Sequence, residues 1–220
     1  GGESSVIVTQ FGKGRILDVI VLLPSIEIEC KVRQEIEGRV CKLRSDGRPV
    51  INLSIRELCE RLFSIGAKIL VIPVHIWTPW FGMLGAKSGF DSLRECCGEY
   101  AENVYAIETG LSSNPEMNWK IEELKNKSIV SFSDAHSPEK LGRELTLFTQ
   151  KLNNIDQYKI NQKFSYKDLW LAMQDKGDWE IEKTIEFYPE EGKYYVNGHR
   201  NCGIKREPAE IAKFGNTCPI

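Results

Sequence analysis

The chain has 220 residues, 41% hydrophobic and 27% charged, with a net charge of −2 and a pI near 6.0. That balance is an ordinary globular one with enough apolar residues for a real core. It excludes a molecule that attracts nucleic acid over its whole surface and leaves room only for a local basic groove. No apolar run approaches the roughly 18 residues of a membrane span, and no signal peptide is recognisable. Seven cysteines, an odd number with Cys96 and Cys97 adjacent, suit a reducing compartment better than a disulfide framework. A cytoplasmic address is expected.

In chain order, Ser5–Thr9 and Asp18–Leu23 read as strands around the Gly-rich turn at Phe11–Arg15, and Ile26–Val40 as a helix. Arg44–Pro49 is a loop by its turn residues. Ser54 opens a helix with Glu57 completing a capping box, Leu58 and Leu62 on one face and Gly66 at the end. Strands follow at Ile69–Val74, Val104–Ile107 and Ile129–Ser133. Helices are expected after Asp91-Ser92, near Asn118–Lys127, from Ser137-Pro138, and from Ser165 to Met173 with Asp168 at the third position. Alternating strands and helices argue for a parallel α/β architecture. Past Gly177 the texture becomes aromatic and turn-rich, which divides the chain into 1–176 and a smaller 177–220 module.

The chemistry is suggested by where three apolar runs stop. Ile69–Val74 ends on His75, Val104–Ile107 on Glu108, and Ile129–Ser133 on Asp134-Ala135-His136. In parallel sheets and barrels, functional groups collect at the C-terminal strand ends. Asp134 and His136 lie two apart and point to one side of an extended segment. With His75 they form a nitrogen and oxygen set suited to zinc, manganese or iron, and the pattern points to a metal-centred hydrolase. Glu108 reads as a metal ligand, a carboxylate orienting a histidine, or a plain loop acid. The loop Ile76–Phe90 holds Trp77 and Trp80, two phenylalanines and Lys87; it suits stacking on bases or a small core folded beneath the loop. Lys87, Arg143, Ser112, Ser113 and Ser137 are candidate phosphate contacts. Cys202 and Cys218-Pro219 resemble half of a zinc ribbon, with His199 as a candidate extra ligand.

Taken together, the stretches Ile72–Phe81, Lys87–Ser92, Glu108–Ser113, Ser133–Pro138, Leu141–Glu144, Thr184–Tyr194 and Gly198–Gly203 resemble the polymerase and histidinol phosphatase (PHP) superfamily, and within it the endonuclease Q family. The resemblance covers nearly the whole chain. It implies an α/β fold, an incomplete distorted (β/α)7 barrel followed by a small zinc-ribbon-like remnant. The implied activity is a metal-dependent hydrolase that nicks DNA 5′ to deaminated bases or abasic sites. Zinc is the expected cofactor, with manganese or magnesium as substitutes. The resemblance places Glu3, His75, Asp134 and His136 among the metal ligands and gives His75, Glu108 and Asp134 to catalysis. Trp77, Trp80, Lys87, Ser112 and Arg143 are assigned to damaged duplex or single-stranded DNA. A sliding clamp docking outside these residues stays open as a partner.

The family's opening His-x-His is absent, and Asp18 stands where relatives usually carry another histidine. Either the chain is a stretch of a longer protein or it is a degenerate relative, and weak or no activity alone is expected. Two alternatives stand beside this: a PHP-type phosphatase acting on a small ester, and a damaged-DNA binding module that has lost its metals.

Overall fold

A computed structural model describes residues 2–10, 13–38, 40–42, 50–87, 89–151 and 163–215. The first sheet holds β1 (Gly2–Gln10) and β2 (Lys13–Leu22), then, after helix α1 (Ile26–Ile36), β3 (Val40–Lys42) and β4 (Val50–Ile51). Helix α2 (Ile55–Ser64) leads to β5 (Leu70–Pro73), which completes the sheet in the order β3-β4-β1-β2-β5. Ser54 and Glu57 form the capping box expected of α2, and Leu58 and Leu62 are buried.

Helix α3 (Leu93–Cys97) follows the long loop and is capped by Ser92. Next come β6 (Ala106–Glu108), the single turn α4 (Pro115–Asn118) and β7 (Ser128–Val130), with β6 and β7 parallel. The helix expected over Asn118–Lys127 is only α4 and a 3-10 turn, and Ser137-Pro138 opens another 3-10 turn, Pro138–Lys140. Finally β8 (Leu145–Gln150) pairs antiparallel with β9 (Trp179–Ile185) across α5 (Tyr166–Ala172), whose Ser165–Asp168 capping box is present. The hairpin β10 (Asn197–His199) and β11 (Ile204–Arg206) precedes α6 (Pro208–Phe214).

The architecture is mixed α/β, and two expectations change. β2 runs antiparallel to both β1 and β5, and β8 antiparallel to β9, so the sheet is not the parallel one predicted. Buried runs such as Leu70–Pro73 are equally apolar in either direction, so composition does not reveal orientation. Among the described residues the strands fall into separate sheets and do not close a barrel. No described helix is long and apolar enough to cross a membrane.

Strand alternation sorts the apolar residues into two cores. Leu17, Val19 and Val21 of β2, Val71 of β5, Ile107 of β6 and Ile129 of β7 pack with α1, α2 and α3 in the larger one. Their neighbours Ile20, Leu22, Leu70, Ile72, Ala106 and Val130 face the other way, against Met173 and Trp170. Asp18 continues the Ile20–Leu22 face and Glu108 the Ala106 face. Both are buried. Polar groups therefore cap one end of the second core.

Candidate functional site

Two strand ends turn sharply at the residues singled out from sequence. His75 after β5 has φ +34°, and Asp134 beyond β7 has φ +43°, left-handed values costly for residues with a Cβ. Glu108 at the end of β6 braces both. Its Oε2 accepts from the His75 backbone N–H at 2.6 Å and its Oε1 from that of Phe132 at 3.1 Å. Burial pushes this carboxyl up to about 7, partly offset by the amides it accepts from. The Glu108 carboxyl faces backbone and does not line the cavity described below, so its geometry is that of a brace rather than of a group touching substrate. Gly110 has φ +59°, and a Cβ there would lie 2.7 Å from the His75 Cα. Only glycine lets the two turns approach this closely.

The His75 ring is held on both sides. A hydroxyl has one proton; that of Thr78 goes to the His75 carbonyl at 2.9 Å, so Nδ1 donates to it at 3.1 Å. Nε2 is left 3.5 Å from Asp18 Oδ2, and the Asp18 side chain is fully buried. Asp18, noted from the resemblance as standing in place of a metal-binding histidine, was not itself among the expected site residues. It reaches the site because β2 is antiparallel to β5, which sets Asp18 beside Val74, whose N–H donates to the Asp18 carbonyl at 3.3 Å. A rule that looks only at C-terminal strand ends misses such a residue. The polar Asp18 inside Ile16–Leu22 was the signal that could have found it.

Asp134 and His136 form a second, far more open pair. Asp134 Oδ1 lies 3.7 Å from His136 Nδ1, and the His136 side chain is 71% exposed. The same ring nitrogen is 3.0 Å from the Asp134 carbonyl. Arg143 holds this turn, donating from Nε to the Ser133 carbonyl at 2.7 Å and from Nη2 to that of Asp134 at 3.2 Å.

A cavity of about 370 Å³ opens between the two turns. Two sets of residues line it: His75, Thr78, Asp134 and Arg143 with Leu111 and Ser112, and an arm that brings Phe187, Tyr188, Glu191, Lys193 and Tyr194. The arm docks closely, since a Cβ on Gly192 would lie 2.7 Å from the Leu111 carbonyl oxygen. Phe187, Tyr188 and Tyr194 are exposed. Beside Arg143 and Lys193 they make a surface able to stack on planar rings and attract an anion. Their aromatic, turn-rich stretch stood out in the sequence, but it was not connected with His75.

Several expected contacts lie elsewhere. Trp77 is partly buried against the larger core, its Nε1 donates to Asn118 Oδ1 at 2.9 Å, and it does not line the cavity. Trp80 is half-exposed and Lys87 exposed, but neither lines the cavity. The loop that carries them is compact. Arg15, nearly buried, donates to the Gly89 carbonyl and stands over the Phe90 ring at 4.6 Å. Cys202 sits in the turn between β10 and β11. His199 is in β10, and Glu3 is in β1 opposite Ile20; the side chains of both, and the whole of Cys218, lie outside the described residues.

Zinc, manganese or magnesium has to be weighed against these donors. An imidazole whose Nδ1 donates presents Nε2 as its ligating atom, and a carboxylate at 3.5 Å supplies oxygen of the right type. The chemistry fits, but the number falls short: among the described residues no three histidine, cysteine or acidic side chains converge on one point. The expected trio is divided into His75 with Asp18 and Asp134 with His136.

No protein-family model matches the chain. It is 30% identical over 165 residues to the uncharacterized protein YqxK of Bacillus subtilis, covering 72% of this chain and 38% of that protein. It is 28% identical over 150 residues to the uncharacterized protein MJ0043 of Methanocaldococcus jannaschii, covering 66% of this chain and 17% of that one. Among solved structures it superposes on the lesion-specific endonuclease PfuEndoQ of Pyrococcus furiosus with a TM-score of 0.77 at 23% identity, over 99% of this chain and 49% of that one. It also matches endonuclease Q in complex with a 27-mer duplex substrate carrying an abasic lesion at the active site, with a TM-score of 0.76 at 23% identity, over 99% and 50%. The chain thus has the fold of about half of an endonuclease Q chain and spans well under half the length of the curated relatives.

Proposed function

We propose that this chain is the substrate-holding part of a metal-dependent DNA endonuclease that nicks 5′ to deaminated bases or abasic sites. The observation that carries the reading is the cavity, which brings together an imidazole, the Asp134 and Glu191 carboxylates, two cations and three exposed aromatic rings. A small phosphate ester would need the charges but not the rings. A nucleotide uses both: Arg143 and Lys193 meet the phosphate, and the ring wall stacks on a base. The likeness in fold to a lesion-specific endonuclease supports the same reading.

In this reading Arg143 has two tasks, holding the Asp134 turn by its carbonyls and offering positive charge to the phosphodiester. Glu108 and Gly110 position the His75 turn. A metal held by His75 with Asp18, or by Asp134 with His136, would polarise the phosphate and lower the pKa of a bound water, with its remaining ligands supplied from outside the described residues. No hydrolytic step is assigned to the described residues alone.

The test is a duplex with a single uracil, hypoxanthine or abasic site beside an undamaged control, with zinc, manganese or magnesium. Preferential binding of the lesion duplex, and nicking on its 5′ side when the chain is supplied within its full-length protein, is expected. Equal affinity for damaged and undamaged duplex would overturn the reading. The absence of a three-donor cluster among the described residues favours one second reading, a damaged-DNA binding module. It predicts that lesion binding survives a chelator and that the full-length protein does not nick.

A further inference from the structure

Behind the aromatic wall, two carboxyls oppose each other and are given no task by the proposed reaction. The β8–β9 register ends at Leu145 opposite Ile185, and one step further brings Glu144 opposite Glu186. Residues directly opposed in an antiparallel pair have Cβ atoms about 4.5–5.5 Å apart, and like charges there repel. Glu144 is 2% exposed. Its Oε2 accepts from Ser131 Oγ at 3.0 Å, and its Oε1 accepts from the Phe187 backbone N–H, also at 3.0 Å. Both carboxyl oxygens of Glu186 are buried with no hydrogen-bond partner.

The surroundings supply little to stabilise two negative charges. Glu186 is neighboured by the Thr184 and Thr109 hydroxyls and by Glu144. Glu144 faces Arg143, which favours its charge, and Asp134, which opposes it. The Arg143 guanidinium donates to two backbone carbonyls, so it offers Glu144 charge and no hydrogen bond. Burial raises both carboxyls above their ordinary range, and for Glu186 the charge of Glu144 adds to that. A proton on the pair removes the repulsion and turns an unpartnered acceptor into a donor.

We propose that a proton held on the Glu144–Glu186 pair clasps the arm over residues 186–194 to the end of β7, and that its loss loosens the arm and opens the Phe187–Tyr188 wall of the cavity. The idea goes beyond the proposed reaction and does not depend on it, because it concerns the arm in the free protein. A carboxyl raised in the docked state favours docking fully below its ordinary value. That contribution is lost as pH rises through the raised value.

Hydrogen–deuterium exchange on the intact chain between pH 5 and 8, corrected for intrinsic rates, tests this. The amides over residues 187–192 are expected to open more as pH rises, by up to roughly tenfold per unit between the ordinary and raised carboxyl ranges, and then to level off. Glu186→Gln is expected to give slow, pH-independent exchange there. A flat wild-type profile, or a slope that persists in Glu186→Gln, would overturn the clasp. Should that variant fail to fold, the wild type decides, with Val19 and Val71 in the larger core as reference. An arm slope no steeper than theirs also overturns it.

Discussion

The His75 and Asp134 turns end similar apolar runs, share a left-handed backbone and share one brace, Glu108, yet they differ in nearly everything else. His75 is packed between Asp18 and Thr78, with its side chain 12% exposed. The Asp134 turn stands in solvent, with its carboxylate 38% exposed and its main holder Arg143 reaching in from the loop before β8. The contrast shows that a strand ending on a polar residue says where a site is and nothing about its stiffness. Stiffness follows from what packs around the turn.

Removing the shared brace should disturb the comparison most. Glu108→Ala orphans two backbone N–H groups and leaves a cavity, for an expected loss of about 3–5 kcal/mol in urea unfolding. Glu108 also gives stability a pH dependence. Its folded value is raised to about 7, so its contribution is present below the ordinary carboxyl range and fades as pH rises through 7. The loss is roughly 3 kcal/mol at most. Unfolding followed from pH 5 to 8 should show a slope in the wild type that Glu108→Gln reduces, the remainder coming from the raised carboxyls of Glu144 and Glu186.

The long loop offers a second contrast, within one tryptophan pair. Trp77→Ala should cost about 2–4 kcal/mol, from lost packing and the stranded Asn118 carbonyl oxygen. Trp80→Ala should stay within about 0.5 kcal/mol of wild type in the same unfolding experiment.

Arg143→Ala sharpens the comparison from the exposed side. DNA affinity, measured by fluorescence anisotropy, should fall by about 1–2 kcal/mol, and the logarithmic salt slope should shrink by about one. The smallest effect belongs to His136. Its exposed ring makes His136→Ala neutral in stability, within about 0.5 kcal/mol, so any effect on metal content or nicking reports function directly.

Much of the frame was legible beforehand. The capping boxes at Ser54 and Ser165 and the strands leading to His75 and Glu108 appeared where local chemistry placed them, because caps and apolar runs are interactions within a few residues. By contrast, β7 stops at Val130, short of the expected Ser133. The direction of β2, the shortness of α4 and the failure of the described strands to close a barrel were not legible. Each depends on partners far away in the chain, as Asp18 and Val74 illustrate.

The same division holds for the site. The residue types and spacing alone single out the His75, Glu108 and Asp134 neighbourhoods, since buried strands that stop on ionisable groups are unusual against an apolar background. Only the tertiary structure pairs Asp18 with His75, turns Glu108 toward backbone amides, draws Trp77 against the larger core and brings the arm carrying Phe187 and Tyr188 across the cavity. Those outcomes are set by burial and by competition for hydrogen-bond partners, which exist only once distant segments pack together.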